Sequence, residues 1–190
     1  MRVLVGCEIS GIVRDAFRAR GHDAWSCDIQ LSASPFHIHG DVRNAINMGG
    51  WDLGIFHPPC TRLCNSGVRW LHERDLWDEM VEAAQLFLDC LNAPIARVAV
   101  ENPVMHGHAL KIIERKADFT VQPWQFGDNF SKRTCFWTRD LPALVPTSDL
   151  DGSTAKHAVH RAPPSKHRAQ IRSQTYPGIA AAMAEQWGSL

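Results

Sequence analysis

Cys60 stands in Ile55-Phe56-His57-Pro58-Pro59-Cys60, where an apolar run ends in two prolines. Proline cannot continue a central strand, so the run closes there and the cysteine opens a polar loop. Rigid placement of a thiol at the start of a loop suits a nucleophile better than a packing residue. Such a thiol works when its pKa falls or a base assists it. The plain alternative is an ordinary buried cysteine. Glu101 follows Arg97-Val98-Ala99-Val100 and precedes Asn102-Pro103. A glutamate at a strand end is badly placed for a core and well placed as an acid or an anchor. A partly buried carboxylic acid can donate a proton to a heterocycle nitrogen. The plain alternative here is a surface charge. His57, Cys60 and Cys64, with Cys135 or a histidine from 157–167, also offer a ligand set for zinc. Structural zinc usually takes paired spacings such as C-x2-C, and none occurs in this chain.

Other acids fall at positions that suit a nucleotide. Asp28 closes Ala24-Trp25-Ser26-Cys27, and an acid at the end of a second strand commonly accepts ribose hydroxyl hydrogen bonds. Asp41, in Gly40-Asp41-Val42, contacts a base or caps a helix. Gly11 is the only glycine between Cys7 and Ile12, so the G-x-G-x-x-G pattern is absent. A pyrophosphate-binding dinucleotide site is therefore poorly supported, and an adenosine cofactor without pyrophosphate fits better.

These groups need a scaffold, and the chain supplies an alternating one. Residues 2–6 predict a buried strand, Gly11 to Arg20 a helix stopped by Gly21, and residues 24–28 a second strand. Residues 30–50 are weakly patterned and predict connections around one short helix. Residues 52–56 predict a strand. From Glu73 to Leu91, apolar residues recur at three- and four-residue intervals, as a helix requires. Arg97 to Val100 predicts another strand, and Phe119–Gln122 and Thr134–Trp137 two more. Ile179 to Trp187 predicts a closing helix. Alternating strands and helices imply an α/β fold with a mostly parallel sheet. Cys7-Glu8, Asp28, Pro58-Pro59-Cys60 and Glu101-Asn102 all fall at carboxyl ends of strands, where such sheets build their sites.

The 190 residues suit one well-cored domain, residues 1–190, with 45% apolar and 21% charged residues. No stretch is long and apolar enough for a membrane span, and the N-terminus lacks a signal-peptide layout. The six cysteines are expected to be reduced, as in a cytoplasmic protein. Twenty basic and twenty acidic residues balance, which argues against strong non-specific nucleic-acid binding. The charge is uneven, however. Lys156, Arg161, Lys166, Arg168 and Arg172, with three histidines and no acid, make 146–175 a long basic loop or lid. Trp25, Trp77 and Trp137 are read as core, and Trp124 as core or a pocket wall.

Together these pieces resemble the DNA cytosine-5 methyltransferases, in particular the short forms encoded by phages and prophages. Val3 to Gly11 is similar to the family's first cofactor motif, although Cys7 and Ile9 replace expected residues. Asp28 matches the ribose-binding acid, and Asp41-Val42 the motif whose acid contacts the adenine amino group. Residues 52–60 resemble the Pro-Cys motif most closely, and Asn65-Ser66-Gly67 the segment after it. Val98 to Asn102 resembles the Glu-Asn block, with Pro103 in place of valine. Ser131 to Thr134 is similar to the later arginine block without its glutamine, and Gln174 to Ala184 to the final motif.

The resemblance implies a Rossmann-like fold that binds S-adenosyl-L-methionine through Cys7, Glu8, Gly11, Asp28, Asp41 and Pro58. It implies catalysis by Cys60, Glu101, Asn102 and Arg133. Cys60 would attack C6 of cytosine, Glu101 would hold and protonate N3, and Asn102 would support the turn. The methyl group would pass to C5 before a base removes the C5 proton. Arg133 would contact base or phosphate. DNA is the implied partner, with the target base leaving its stack. The implied location is the cytoplasm of a bacterial host carrying the phage or prophage. Typical members insert a sizeable recognition domain, but only about forty residues separate Arg133 from Gln174. Recognition is then relaxed, or completed by oligomerisation. Two further readings stand beside this one: the same chemistry on single-stranded DNA or a cytosine nucleotide, and a catalytically silent DNA- or protein-binding module.

Overall fold

The computed structural model describes residues 1–157 and 175–190. Most of the basic run, namely Arg161, Lys166, Arg168 and Arg172, lies outside the described residues, as does Gln174. The strands are β1 (Arg2–Gly6), β2 (Asp23–Asp28), β3 (His37–His39), β4 (Leu53–Phe56), β5 (Arg97–Asn102), β6 (Phe119–Val121) and β7 (Thr134–Arg139). The helices are α1 (Ile12–Ala19), α2 (Val42–Asn47), α3 (Val68–Arg74), α4 (Trp77–Leu91), α5 (Gly107–Ile113) and α6 (Pro177–Gln186).

The seven strands of the described residues join in one sheet, ordered β3-β2-β1-β4-β5-β7-β6. The first five run parallel. β7 lies antiparallel between β5 and β6, with Glu101 opposite Phe136 and Asn102 opposite Cys135. Side chains alternate across a strand, and a sheet covered on both faces needs apolar residues at both parities. β1 shows this directly. Val3 and Val5 join Val13, Phe17, Met183 and Trp187 on the α1 and α6 side. Leu4 joins Val42, Phe87 and Trp137 on the side covered by α2, α4 and α5. Strand order, mixed orientation and flanking helices together make this the Rossmann-like topology of the S-adenosylmethionine-dependent methyltransferases.

Three local expectations change. Residues 30–50 contain the short strand β3 as well as the helix α2. β3 exists through its pairing, Ser26 with His37 to Asp28 with His39, rather than through an apolar pattern. The helix expected over 73–91 is α4, which begins only at Trp77, and the first two residues of that range belong to the end of the separate helix α3. Asp75 adopts φ 50°, a left-handed conformation that ends α3. Helix α5 is additional. Among the tryptophans, Trp137 is 2% exposed, whereas Trp25 and Trp77 are half-buried. Trp124 is half-buried beneath Gly152.

Candidate active site

The parallel strands β1, β2, β4 and β5 deliver their carboxyl ends to one edge of the sheet, and with them most of the expected site residues. β4 ends at Phe56, and the following His57 amide donates to the Gly6 carbonyl of β1 at 2.9 Å. The two prolines then turn the chain to Cys60, which is half-buried. β5 carries Glu101 and Asn102 alongside. Asn102 Nδ2 donates to the Pro58 carbonyl at 2.8 Å, and Asn102 is only 1% exposed. A second lacing joins the loops beyond. Asn65 N donates to Val104 O at 3.2 Å, and His106 N to Leu63 O at 3.0 Å. The His106 ring also bonds Arg62 O at 2.8 Å. The loop after Cys60 is thus bound to the loop after Glu101.

His57 Nδ1 donates to Glu101 Oε2 at 3.3 Å, and both side chains are largely buried. Burial alone would raise the Glu101 carboxyl. The His57 hydrogen bond, the Lys132 charge and the His57 charge outweigh it, so the net displacement is downward. A small cavity beside Glu101 is lined by Lys132, Thr134, Phe136, Thr175, Tyr176 and Ile179. The start of α6 therefore reaches the same site.

Cys60 and Cys64 lie within one turn, with Cys64 N donating to Cys60 O at 2.9 Å. The Cys60 thiol donates to Cys64, which pushes Cys60 up. Burial and the charges of Cys64 and Glu101 add to this, and Lys132 opposes it. Cys64 is held low as the acceptor of that bond, with help from the Ser66 hydroxyl and the backbone amides of Ser66 and Gly67. At rest, then, Cys60 is a thiol and Glu101 a carboxylate.

The N-terminal residues form a second cluster. Glu8 is 5% exposed. Its Oε1 accepts from Ser10 Oγ at 2.6 Å and Val13 N at 3.3 Å, while Oε2 is buried with no partner among the described residues. Cys7 takes φ 57° and Gly11 φ 74°. The left-handed backbone at Cys7 is one that glycine adopts freely, and it marks where this motif departs from a glycine-rich one. Asp28, at the end of β2, accepts from Gln30 N at 2.9 Å. Asp41 caps α2 by accepting from Arg43 N at 2.8 Å, and its carboxylate pairs with the Arg43 guanidinium at 3.4 Å. Pro58 is buried, and its carbonyl is the acceptor for Asn102.

Cys60, Glu101, Asn102 and Pro58 thus meet in one place. Arg133 is exposed just before β7, where its charge acts on Cys135, while the neighbouring Lys132 acts on Glu101. Three residues of the site go beyond the sequence reading of it. His57 and Cys64 were weighed only as metal ligands, and Lys132 was hidden beside Arg133. The block Ser131–Thr134 contains Lys132 without singling it out, because its nearness to Glu101 arises from β7 packing against β5. Among the described residues, no three His, Cys, Asp or Glu side chains are arranged to hold a metal ion, and no helix is long and apolar enough to cross a membrane.

The sequence matches no family model and no curated protein. Among solved structures it is similar to one from E. coli, provisionally described as a DNA modification methyltransferase encoded within a prophage. The two share 15% identity at a TM-score of 0.49. The match covers 79% of this chain and 52% of the other, so this chain spans about half that protein's length.

Proposed function

We propose that this chain transfers a methyl group from S-adenosyl-L-methionine to C5 of cytosine in DNA, through a covalent bond between Cys60 and C6. The carrying observation is the clasp between the two strand ends: Asn102 holds the carbonyl of Pro58, so the Cys60 turn and the Glu101 carboxyl form one unit. The residues at the end of β1 fit the cofactor. The unpartnered oxygen of Glu8 is a buried acceptor of the kind an ammonium group satisfies. Asp28 stands at the strand end that suits a ribose diol. Cys7, Gly11, Asp41 and Pro58 complete the assigned contacts. When bound, the cofactor supplies an electrophilic methyl group on sulfur.

The chain's own residues account for the base. Cys60 is raised partly by the negative charge of Glu101. A cytosine seated against Glu101 dehydrates the carboxylate and favours its protonated form. Neutralising Glu101 removes one charge that opposes ionisation of Cys60. When Glu101 then gives its proton to N3, the ring loses electron density and C6 accepts the sulfur more readily. Asn102 keeps the turn in place, and Arg133 is assigned to a base or phosphate contact.

A second reading keeps this chemistry and changes the substrate to single-stranded DNA or a cytosine nucleotide. The observation favouring it is the stretch after β7, where residues 140–157 carry a short 3-10 turn at Gly152–Thr154 and an isolated bridge from Lys156 to Phe130, and no longer element. The test incubates the protein with labelled S-adenosyl-L-methionine and duplex DNA, single-stranded DNA or deoxycytidine nucleotides, with Cys60→Ala beside the wild type. C5 methylation that survives Cys60→Ala sinks the mechanism. No transfer to any substrate by folded protein favours the binding-module reading. DNA containing 5-fluorocytosine is expected to trap an adduct on Cys60.

A further inference from the structure

We propose that Cys60 and Cys64 are an oxidisable dithiol, which hydrogen peroxide or an organic hydroperoxide converts into an intramolecular disulfide. The two residues are four apart and joined by a backbone hydrogen bond of 2.9 Å, as in a helical turn. That geometry sets their Cα atoms about 6 Å apart, within the span a disulfide bridges. The electrostatics agree with this placement, since each thiol is the leading influence on the other, raising Cys60 and lowering Cys64.

The loop holds them there. Leu63 N and Cys64 N both donate to Cys60 O, at 3.0 and 2.9 Å. Gly67 packs so closely that a Cβ would sit 2.1 Å from Thr61 O. Cys64 Sγ lies 3.1 Å from Ser66 Oγ, which favours negative charge on the sulfur, and Gly67 N donates to Cys64 O at 2.9 Å. The half-buried Cys60 gives a small oxidant access from the site. Cys27 is buried with its thiol on Gly40 O, and Cys135 is buried in β7. Cys90, buried in α4, has the half-buried Cys7 as its neighbour, but no four-residue backbone turn joins those two.

The reaction balances. A thiolate of the pair attacks the peroxide, an S–O bond forms, and the O–O bond breaks. The departing oxygen leaves as water or an alcohol after taking a proton. The second sulfur then attacks the resulting sulfenic acid, an S–S bond forms, and a second water departs. Two thiols are oxidised and one hydroperoxide is reduced. In the reading proposed above, this step removes the nucleophile. The dithiol itself stands on geometry and is tested without any methyl transfer.

The experiment treats the pre-reduced full chain with hydrogen peroxide, alkylates the remaining thiols and maps tryptic peptides. Arg62 lies between the two cysteines, so the disulfide joins peptide 44–62 to peptide 63–69. The expected result is that linked pair, loss of two of the six alkylatable thiols, and recovery of both with dithiothreitol. These two thiols are expected to disappear about tenfold faster than Cys90. In Cys60→Ser the link vanishes and Cys64, the sulfur held low, accumulates sulfenic or sulfinic acid. Cys64→Ser serves as the reciprocal variant, with folding checked by circular dichroism. Two unlinked peptides, or Cys60 bridged to another cysteine in the wild type, overturn the proposal whether or not the protein methylates DNA.

Discussion

Asn102 Nδ2 donates to the Pro58 carbonyl across 2.8 Å, tying the end of β5 to the turn that carries Cys60. The bond is buried, so neither partner can turn to water when the other is lost. Asn102→Ala is expected to cost about 1–3 kcal/mol of unfolding free energy. A lowered midpoint with unchanged slope in urea unfolding checks it. Native Cys60 should also become more reactive toward alkylating reagents.

The lowered carboxyl of Glu101 fixes a sign for pH dependence. A folded pKa below the unfolded one adds stability that is fully present above the unfolded value of about 4.5. That stability is lost as the pH falls through the lower folded value. Wild type minus Glu101→Gln should therefore show its largest stability advantage at neutral pH and a shrinking one below about pH 4.5. Denaturant midpoints from pH 3 to pH 7 test this, and an advantage that grows on acidification would refute it.

Asp41 has a structural duty as the cap of α2. Asp41→Ala should cost about 1 kcal/mol and Asp41→Asn much less, because an amide oxygen still caps. If Asp41 also receives the cofactor's amino group, Asp41→Asn will weaken cofactor binding while leaving the melting temperature nearly unchanged. Calorimetric titration alongside thermal unfolding separates the two roles.

Glu8 keeps one carboxylate oxygen buried, with no partner among the described residues. Glu8→Gln preserves size and replaces a charge-assisted contact by a neutral one. The expected result is a rise of about tenfold or more in the dissociation constant for S-adenosyl-L-methionine. An unchanged constant would remove Glu8 from the cofactor site.

Much of this architecture was legible because it is local. The apolar runs at 2–6, 53–56 and 97–100 announce strands, and the residues after them announce a site, since parallel sheets place their chemistry there. What was hidden depends on partners. β3 is three residues long and is held by β2. α5 is capped by His106, whose Nδ1 accepts from Ala109 N at 3.1 Å. The usual capping residues are Ser, Thr, Asp and Asn, so that start was invisible. The break at Asp75 interrupts an apolar rhythm that runs on unchanged in the sequence. Lys132 and Glu101 meet only through an antiparallel strand formed far along the chain.

That strand has a consequence for synthesis. β6 leaves the ribosome before β7, yet β7 must enter between β6 and the already emerged β5. Until it does, β5 presents an open edge that any other extended chain can join. At ordinary elongation rates the wait is on the order of seconds. The half-sheet holding Cys60 and Glu101 thus passes through a vulnerable interval in every new molecule. Expression yield should depend on how quickly residues 134–139 arrive to close it.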